Sequence, residues 1–205
     1  METELFSVAE AAERLDKLVG QDLELLSEKY GITIRTANGH INKGWVGHLC
    51  EKYLGSDINS KQEPDFGDWE LKSIYIKPLK KGGFSFKETL KITLINPEEI
   101  VDTTFDNSHL YKKIRNMLVV GRLVIDNKSS FKGAVNVELD SDSLNLIEYD
   151  YDLIRNTIKN NGFAALTGRL GTYVQARTAG AGHGSITRAF YAKKLFLNTF
   201  CNKLL

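Results

Sequence analysis

The 205-residue sequence predicts an α/β protein, on three observations. Apolar residues recur at i, i+3, i+4 and i+7 through the first thirty positions, the signature of amphipathic helices. Short apolar strand runs at 70–76, 89–95, 118–125 and 134–139 then alternate with helical stretches at 43–55, 110–117 and 149–160. With 42% hydrophobic and 26% charged residues, the chain has an ordinary globular composition and length for one sizeable core, or one domain with two lobes.

The first helix is set by Val8, Ala11, Ala12 and Leu15, continued by Leu18 and Val19 until Gly20 interrupts. Asp22 can cap a second helix carrying Leu23, Leu25, Leu26 and Tyr30, with Gly31 as its stop. Residues 33–42 are polar, with Asn38-Gly39 as a turn signal. The third helix carries Trp45, Leu49 and Tyr53 as one stripe and ends at Gly55. Glu51 lies off that stripe, beside Gly47. Small neighbours leave room for a ligand or a second backbone, although a solvated glutamate paired with a lysine fits the pattern equally.

Pro64-Asp65-Phe66-Gly67-Asp68-Trp69-Glu70-Leu71-Lys72 is the stretch with chemistry in it. In a strand, residues i and i+2 share a face, so Glu70 and Lys72 project together. Gly67 offers a bend that returns the Asp65 carboxylate towards Glu70. Two carboxylates beside an ammonium suit Mg²⁺, a hard cation that takes one or two protein carboxylates plus water and phosphate. A solvated strand end would look the same. Ile74 and Ile76 share parity with Glu70 and Lys72, which predicts a central strand with a wet entrance and a far end buried on both faces. Lys80-Lys81-Gly82-Gly83 reads as a turn, Pro97 as a strand end, residues 126–130 as a loop and Asn161-Gly162 as a helix stop.

Charge is unevenly spread. Residues 151–205 hold eight basic residues against the single Asp152, a segment of +7, which leaves the first 150 residues at −6 in a chain of net +1. An acidic, metal-collecting body followed by a basic segment suits an enzyme acting on a polyanion. No run of about 18 apolar residues exists, which argues against a membrane-spanning helix. The acidic start Met1-Glu2-Thr3-Glu4-Leu5 lacks the features of a secretory signal, so a cytoplasmic protein is expected. Cys50 and Cys201 lack metal-ligand spacing and read as small buried hydrophobes. The four histidines show no zinc-pair spacing, and no catalytic triad is evident.

Residues 168–188 form the most unusual stretch. Arg169 and Arg177 flank a short strand at 172–176, which runs into Thr178-Ala179-Gly180-Ala181-Gly182-His183-Gly184-Ser185. Small residues can let the backbone press close to DNA, with Arg177 and Arg188 reaching base edges or phosphates. A simple mobile connection would have the same composition. The stretch lacks the Gly-Lys-Ser/Thr ending of a nucleotide-binding loop.

Several segments stand out in order: Lys43-Gly44-Trp45-Val46-Gly47, Glu51, Leu54-Gly55, Ser60-Lys61-Gln62-Glu63-Pro64-Asp65-Phe66 and Glu70-Leu71-Lys72. Thr103-Thr104-Phe105, Ser108-His109 with Lys113, Gly171-x-Tyr173-x-Gln175-x-Arg177, and Ala189-Phe190-Tyr191-Ala192-Lys193-Lys194 continue the series. Together they resemble the MutH family, which comprises the mismatch-repair nicking endonuclease and related GATC-cutting restriction enzymes. The resemblance implies a PD-(D/E)xK restriction-endonuclease-like fold: a mixed sheet flanked by helices, with two lobes around a DNA cleft. It implies one domain over residues 1–205, catalytic in its 40–115 part and DNA-reading in its 165–195 part. Glu51, Asp65, Glu70 and Lys72 would form the active site, Asp65 and Glu70 as metal ligands, with Lys113 as a second lysine. The implied cofactor is Mg²⁺, as one or two ions, with Mn²⁺ able to substitute.

By the same resemblance the segment after Arg177 reads GATC in double-stranded DNA, and Tyr191 lies near the adenine whose methylation is sensed. Arg169, Thr178, Gly180, His183, Ser185, Arg188 and Lys193 are the further DNA-binding candidates. Two departures from the repair enzyme stand out. The turn between Asp65 and Glu70 is about two residues shorter, and Thr178-Ala179 replaces a proline and a lysine in a shortened reading loop. The second departure favours a type II restriction enzyme, homodimeric on DNA and held off by methylation. A repair nickase activated by MutL is the next reading, and a non-catalytic DNA-binding module the third.

Overall fold

The computed structural model describes residues 6–56, 63–180 and 185–205. In chain order these form α1 (Val8–Asp16), α2 (Leu23–Lys29), α3 (Trp45–Tyr53), β1 (Glu70–Pro78) and β2 (Phe84–Phe86). Next come β3 (Leu90–Ile95), α4 (Glu99–Asp102), α5 (His109–Ile114), β4 (Met117–Ile125) and β5 (Lys128–Val137). The last third contains α6 (Ser141–Asn161), β6 (Val174–Thr178), β7 (Arg188–Ala192) and α7 (Lys194–Phe200). The chain divides into two compact units. One comprises Met1–Glu88, Asn116–Val137 and Lys203–Leu205; the other comprises Thr89–Arg115 and Glu138–Asn202.

The first unit is built on a mixed sheet in the order β2-β1-β4-β5. β1 runs parallel to β4 and antiparallel to β2, and β4 is antiparallel to β5. The helices form where their local signals placed them. The Ser7 hydroxyl accepts from the Glu10 N–H while the Glu10 carboxylate accepts from the Ser7 N–H, a reciprocal cap that starts α1. Asp22 accepts from the Glu24 and Leu25 N–H groups to start α2. Their apolar stripes meet α3 and the sheet in one core, which includes Leu15, Leu23, Leu49, Leu71, Leu118 and Phe131.

Two expectations about this sheet are corrected. Burial along β1 differs from the wet-entrance pattern at its start: Glu70 and Leu71 are buried, as Ile74 and Ile76 are farther along, and exposure begins only at Lys77 and Pro78, beyond the expected run. Pairing with β4 stops at Ile76, so the far end hangs on β2 alone, while the entrance lies between β4 and the turn before it. The loop expected at 126–130 is a two-residue hairpin turn. Asp126 and Asn127 take left-handed conformations with φ of +48° and +63°, the geometry that a tight hairpin requires. Lys128-Ser129-Ser130 therefore belongs to β5, where the buried Ser129 hydroxyl accepts from the Arg122 guanidinium.

The second unit holds the antiparallel sheet β3-β7-β6, with β7 between two edge strands. Its helix α6 begins eight residues before the expected start at 149, because Asp140 accepts from the Ser143 N–H and caps it. Sequence patterning missed this turn because the buried face of α6 is partly polar: Ser143, Ile147, Asp150, Tyr151, Ile154 and Ile158. The helix expected through 117 stops at Ile114, and Met117 opens β4 instead. Both cysteines are buried thiols without a disulfide, and burial pushes Cys201 up to about 12. Among the described residues no helix is long and apolar enough to cross a membrane.

Candidate active site

The entrance to β1 is a tight turn closed by the Phe66 N–H donating to the Trp69 carbonyl at 3.1 Å. Gly67 sits in it at φ +78°, a left-handed conformation that a β-carbon would strain. Phe66 and Trp69 both enter the core and stack, ring centroids 4.0 Å apart and 2° from parallel. The Trp69 indole N–H donates to the Phe6 carbonyl at 2.8 Å. With two aromatic rings pinned inward, the residues on either side of the turn are drawn together.

Those residues are Asp65 and Glu70. The Asp65 backbone N–H donates to Glu70 Oε2 at 3.2 Å, and Asp65 Oδ2 accepts from the Leu71 N–H at 3.1 Å. Glu70 is fully buried, and Lys72 pairs with its Oε1 from the same strand face while its own side chain stays 22% exposed. A buried carboxylate without such compensation costs several kcal/mol. The Glu70 N–H donates to the Asn116 carbonyl at 2.9 Å, and the Asn116 amide donates to the Asp68 carbonyl at 3.2 Å. Asn116 thus holds the later half of the turn, at Asp68 and Glu70, against the start of β4.

α3 packs against β1 and brings Glu51 into the same unit. A β-carbon built on Gly47 would lie 3.7 Å from Glu51 Oε1, so the glycine leaves that carboxylate uncrowded from one side. Lys113 is buried on α5 and belongs to the second unit. Four of the five expected catalytic residues therefore share one unit. Among the described residues, no three His, Cys, Asp or Glu groups are assembled into a metal site. Two carboxylates at one strand entrance, backed by an ammonium, still fit a hard cation that completes its shell with water and phosphate oxygen.

The expected DNA-reading residues lie in the second unit. β6 and β7 pair with Gln175 opposite Tyr191 and Thr178 opposite Arg188. Gln175 and Arg177 share a face of β6; Gln175 is buried and Arg177 exposed. Arg177 Nη1 donates to Thr89 Oγ1 at 3.0 Å, and its guanidinium lies 5.8 Å from the Tyr191 ring centroid. Arg188 Nη1 donates to the carbonyls of Ser185 and Ile186, both at 3.1 Å, so part of this arginine serves its own loop. The Ser185 hydroxyl donates to the Ala179 carbonyl at 2.7 Å. Lys193 Nζ donates to the Gly171 carbonyl at 2.7 Å. Arg169 is exposed in a loop, and His183 lies outside the described residues.

The family described as DNA mismatch repair enzyme MutH matches residues 54–147, which include Asp65, Glu70, Lys72 and Lys113. A DNA mismatch repair protein MutH from Shewanella sp. (strain W3-18-1) is 29% identical over 96% of this chain and 95% of its own length. The corresponding protein of Vibrio campbellii is 28% identical over 93% of this chain and 84% of its own.

The chain resembles the MutH endonucleases.

A second kind of relative is the type II restriction enzyme Sau3AI of Staphylococcus aureus, 27% identical over 74% of this MutH-like chain but only 32% of Sau3AI. Among solved structures, a complex of the restriction endonuclease MvaI with its cognate DNA covers 94% of the chain at 14% identity and a TM-score of 0.40. Phe66, Trp69, Asn116 and Asp150 are residues of this MutH-like fold that sequence reasoning did not single out. Only the Phe66-x-x-Trp69 spacing around a glycine could have suggested the closed turn; the other two act through contacts distant in sequence.

Proposed function

We propose that this MutH-like chain is a Mg²⁺-dependent DNA endonuclease that nicks one strand at a short GATC-like site in the manner of mismatch repair. The chemistry rests on one observation: Asp65 and Glu70 meet across a closed turn, with Lys72 paired to a fully buried Glu70. Asp65 and Glu70 would hold the Mg²⁺, whose role there is to acidify and orient the attacking water and offset charge on the phosphate. Lys72 donates to the oxygens that gather charge as the phosphodiester bond breaks. Glu51 supplies a further carboxylate from α3, and Lys113 is the second lysine of the family pattern. Arg177 reads base edges, with Tyr191 beside it.

The repair reading takes precedence over restriction, the reverse of the order the shortened reading loop had favoured. Repair proteins align with 96% of this chain and nearly all of their own length, whereas the Sau3AI likeness spans a third of that enzyme. The Thr178-Ala179 departure keeps a GATC-cutting restriction enzyme as the second reading. It needs two active sites for a double-strand break, hence a homodimer on DNA.

A plasmid digested with Mg²⁺ in unmethylated, hemimethylated and fully adenine-methylated forms, with and without MutL, separates these readings. Nicks confined to the unmethylated strand and accelerated by MutL are expected. Linear fragments sharing one short site, made without MutL, would establish restriction instead. No hydrolysis in any arm would reject the catalytic assignment.

A further inference from the structure

Asp150 is a fully buried acidic residue that the proposed chemistry does not use. It projects from the core-facing side of α6, between Ile147 and Ile154, and its carboxylate is the centre of a folded turn. Oδ1 accepts from the Thr172 N–H at 2.6 Å, and Oδ2 accepts from the N–H groups of Tyr173 and Val174 at 2.7 and 2.8 Å. Three consecutive amide donors thus solvate one buried charge. The turn can come this close only at a glycine. Gly171 has φ +77°, and a β-carbon there would sit 1.9 Å from the Val174 carbonyl oxygen and 3.0 Å from Asp150 Cγ. From the other side, Lys193 Nζ donates to the Gly171 carbonyl at 2.7 Å and the Lys193 N–H to the Tyr173 carbonyl at 2.8 Å.

This turn is the entrance to β6, an edge strand whose only ladder partner among the described residues is β7. An edge strand held on one side is the kind that slips, and a slip of one residue exchanges its two faces. For β6 that exchange would turn Gln175 and Arg177 together to the opposite face and take Gln175 out of its pairing with Tyr191. We propose that Asp150 is a positioning residue for substrate recognition: by gripping residues 172–174 it fixes the register of β6 and so aims Arg177, with Lys193 closing the grip. The proposal rests on the reading of Arg177 as a base contact. It assigns Lys193 to the turn and not to a DNA phosphate.

The test is a double-mutant cycle with site preference as its readout. A duplex library randomised over six central base pairs is cut in Mg²⁺ by the wild type, Asp150→Asn, Arg177→Ala and the double variant, and the cut products are sequenced. Asparagine offers one acceptor oxygen and an opposing NH₂ to three donors, so the grip is broken with little change in volume. Each single variant is expected to lose about tenfold or more in preference for the best site over its single-mismatch neighbours. The double variant should fall no further than Arg177→Ala alone, because one residue acts through the other. Preference retained by Asp150→Asn, or losses that add in the double variant, would overturn the positioning role alone. Preference retained by Arg177→Ala would overturn the base-contact reading and this proposal with it. If urea titration shows Asp150→Asn to be unfolded, Lys193→Met loosens the same turn from its exposed side and takes its place in the cycle. A uniform weakening across all sequences in that variant, with preference intact, would make Lys193 a phosphate contact and defeat the proposal.

Discussion

Glu70 remains a sensible metal ligand although it is fully buried, because Lys72 lies two residues along the same face and shares its charge. The pair is asymmetric. Removing Lys72 takes an ammonium away from a carboxylate in the core, whereas Glu70→Gln leaves a partly exposed ammonium that water can solvate. Lys72→Ala should therefore destabilise the fold by about 3 kcal/mol, and more than Glu70→Gln does, in urea unfolding at pH 7. Glu70→Ala and Lys72→Ala should both abolish cleavage while duplex binding persists; retained hydrolysis in either would remove that residue from the site. At this scale the sequence was explicit about residue types and spacing. It was wrong about solvent at the strand entrance, because burial of Glu70 depends on a turn and a neighbouring strand and not on its own neighbours in the chain.

Among the elements, β4 and α6 carry the sharpest constraints. A β-carbon on Gly121 of β4 would lie 2.8 Å from Ile76 Cδ1 and 3.1 Å from Lys132 Cβ. Gly121→Ala should cost about 1–3 kcal/mol, since the Ile76 side chain must shift within a packed sheet. Recovery of that loss by Ile76→Val in the Gly121→Ala background would confirm the clash. The start of α6 gives a pH dependence. The Ser143 hydroxyl and N–H hold the Asp140 carboxyl below its ordinary range. A carboxyl with a depressed folded pKa stabilises the fold above its unfolded value of about 3.9, and that contribution fades as pH falls through the lower folded value. The stability difference between wild type and Asp140→Ala should be constant from pH 7 to 5 and shrink towards pH 3. A gap that widens on acidification would refute the assignment.

Across the whole molecule, charge is partitioned along the chain and the proposed chemistry is partitioned with it. The carboxylates at Glu51, Asp65 and Glu70 belong to one unit, and Arg169, Arg177, Arg188 and Lys193 belong to the other. Each unit has its own sheet, so the proposed metal ligands and the proposed base readers rest on separate scaffolds, with Lys113 the one catalytic candidate in the second unit. If the basic segment neutralises DNA phosphates, duplex affinity should fall by about a hundredfold or more between 50 and 200 mM KCl. A flat salt response in a fluorescence-anisotropy titration would show that the +7 segment is not the binding footprint.

By itself the sequence determined the α/β class, the helix start at Asp22, and the placing of Glu70 and Lys72 on one strand behind a turn from Asp65, because these depend on neighbours within a few residues. The hairpin at Asp126-Asn127 lay at the edge of legibility, as its two left-handed residues can also be read as a loop. Tertiary structure alone decided that Glu70 is buried, that Asn116 ties the turn before β1 to β4, and that α6 starts at Ser141 despite its polar face. It also decided that Asp150 and Lys193 are spent on the turn before β6. Asp150 reaches amides 22 to 24 residues away. A hydrogen bond at that separation leaves no periodicity or composition for a linear reading to find.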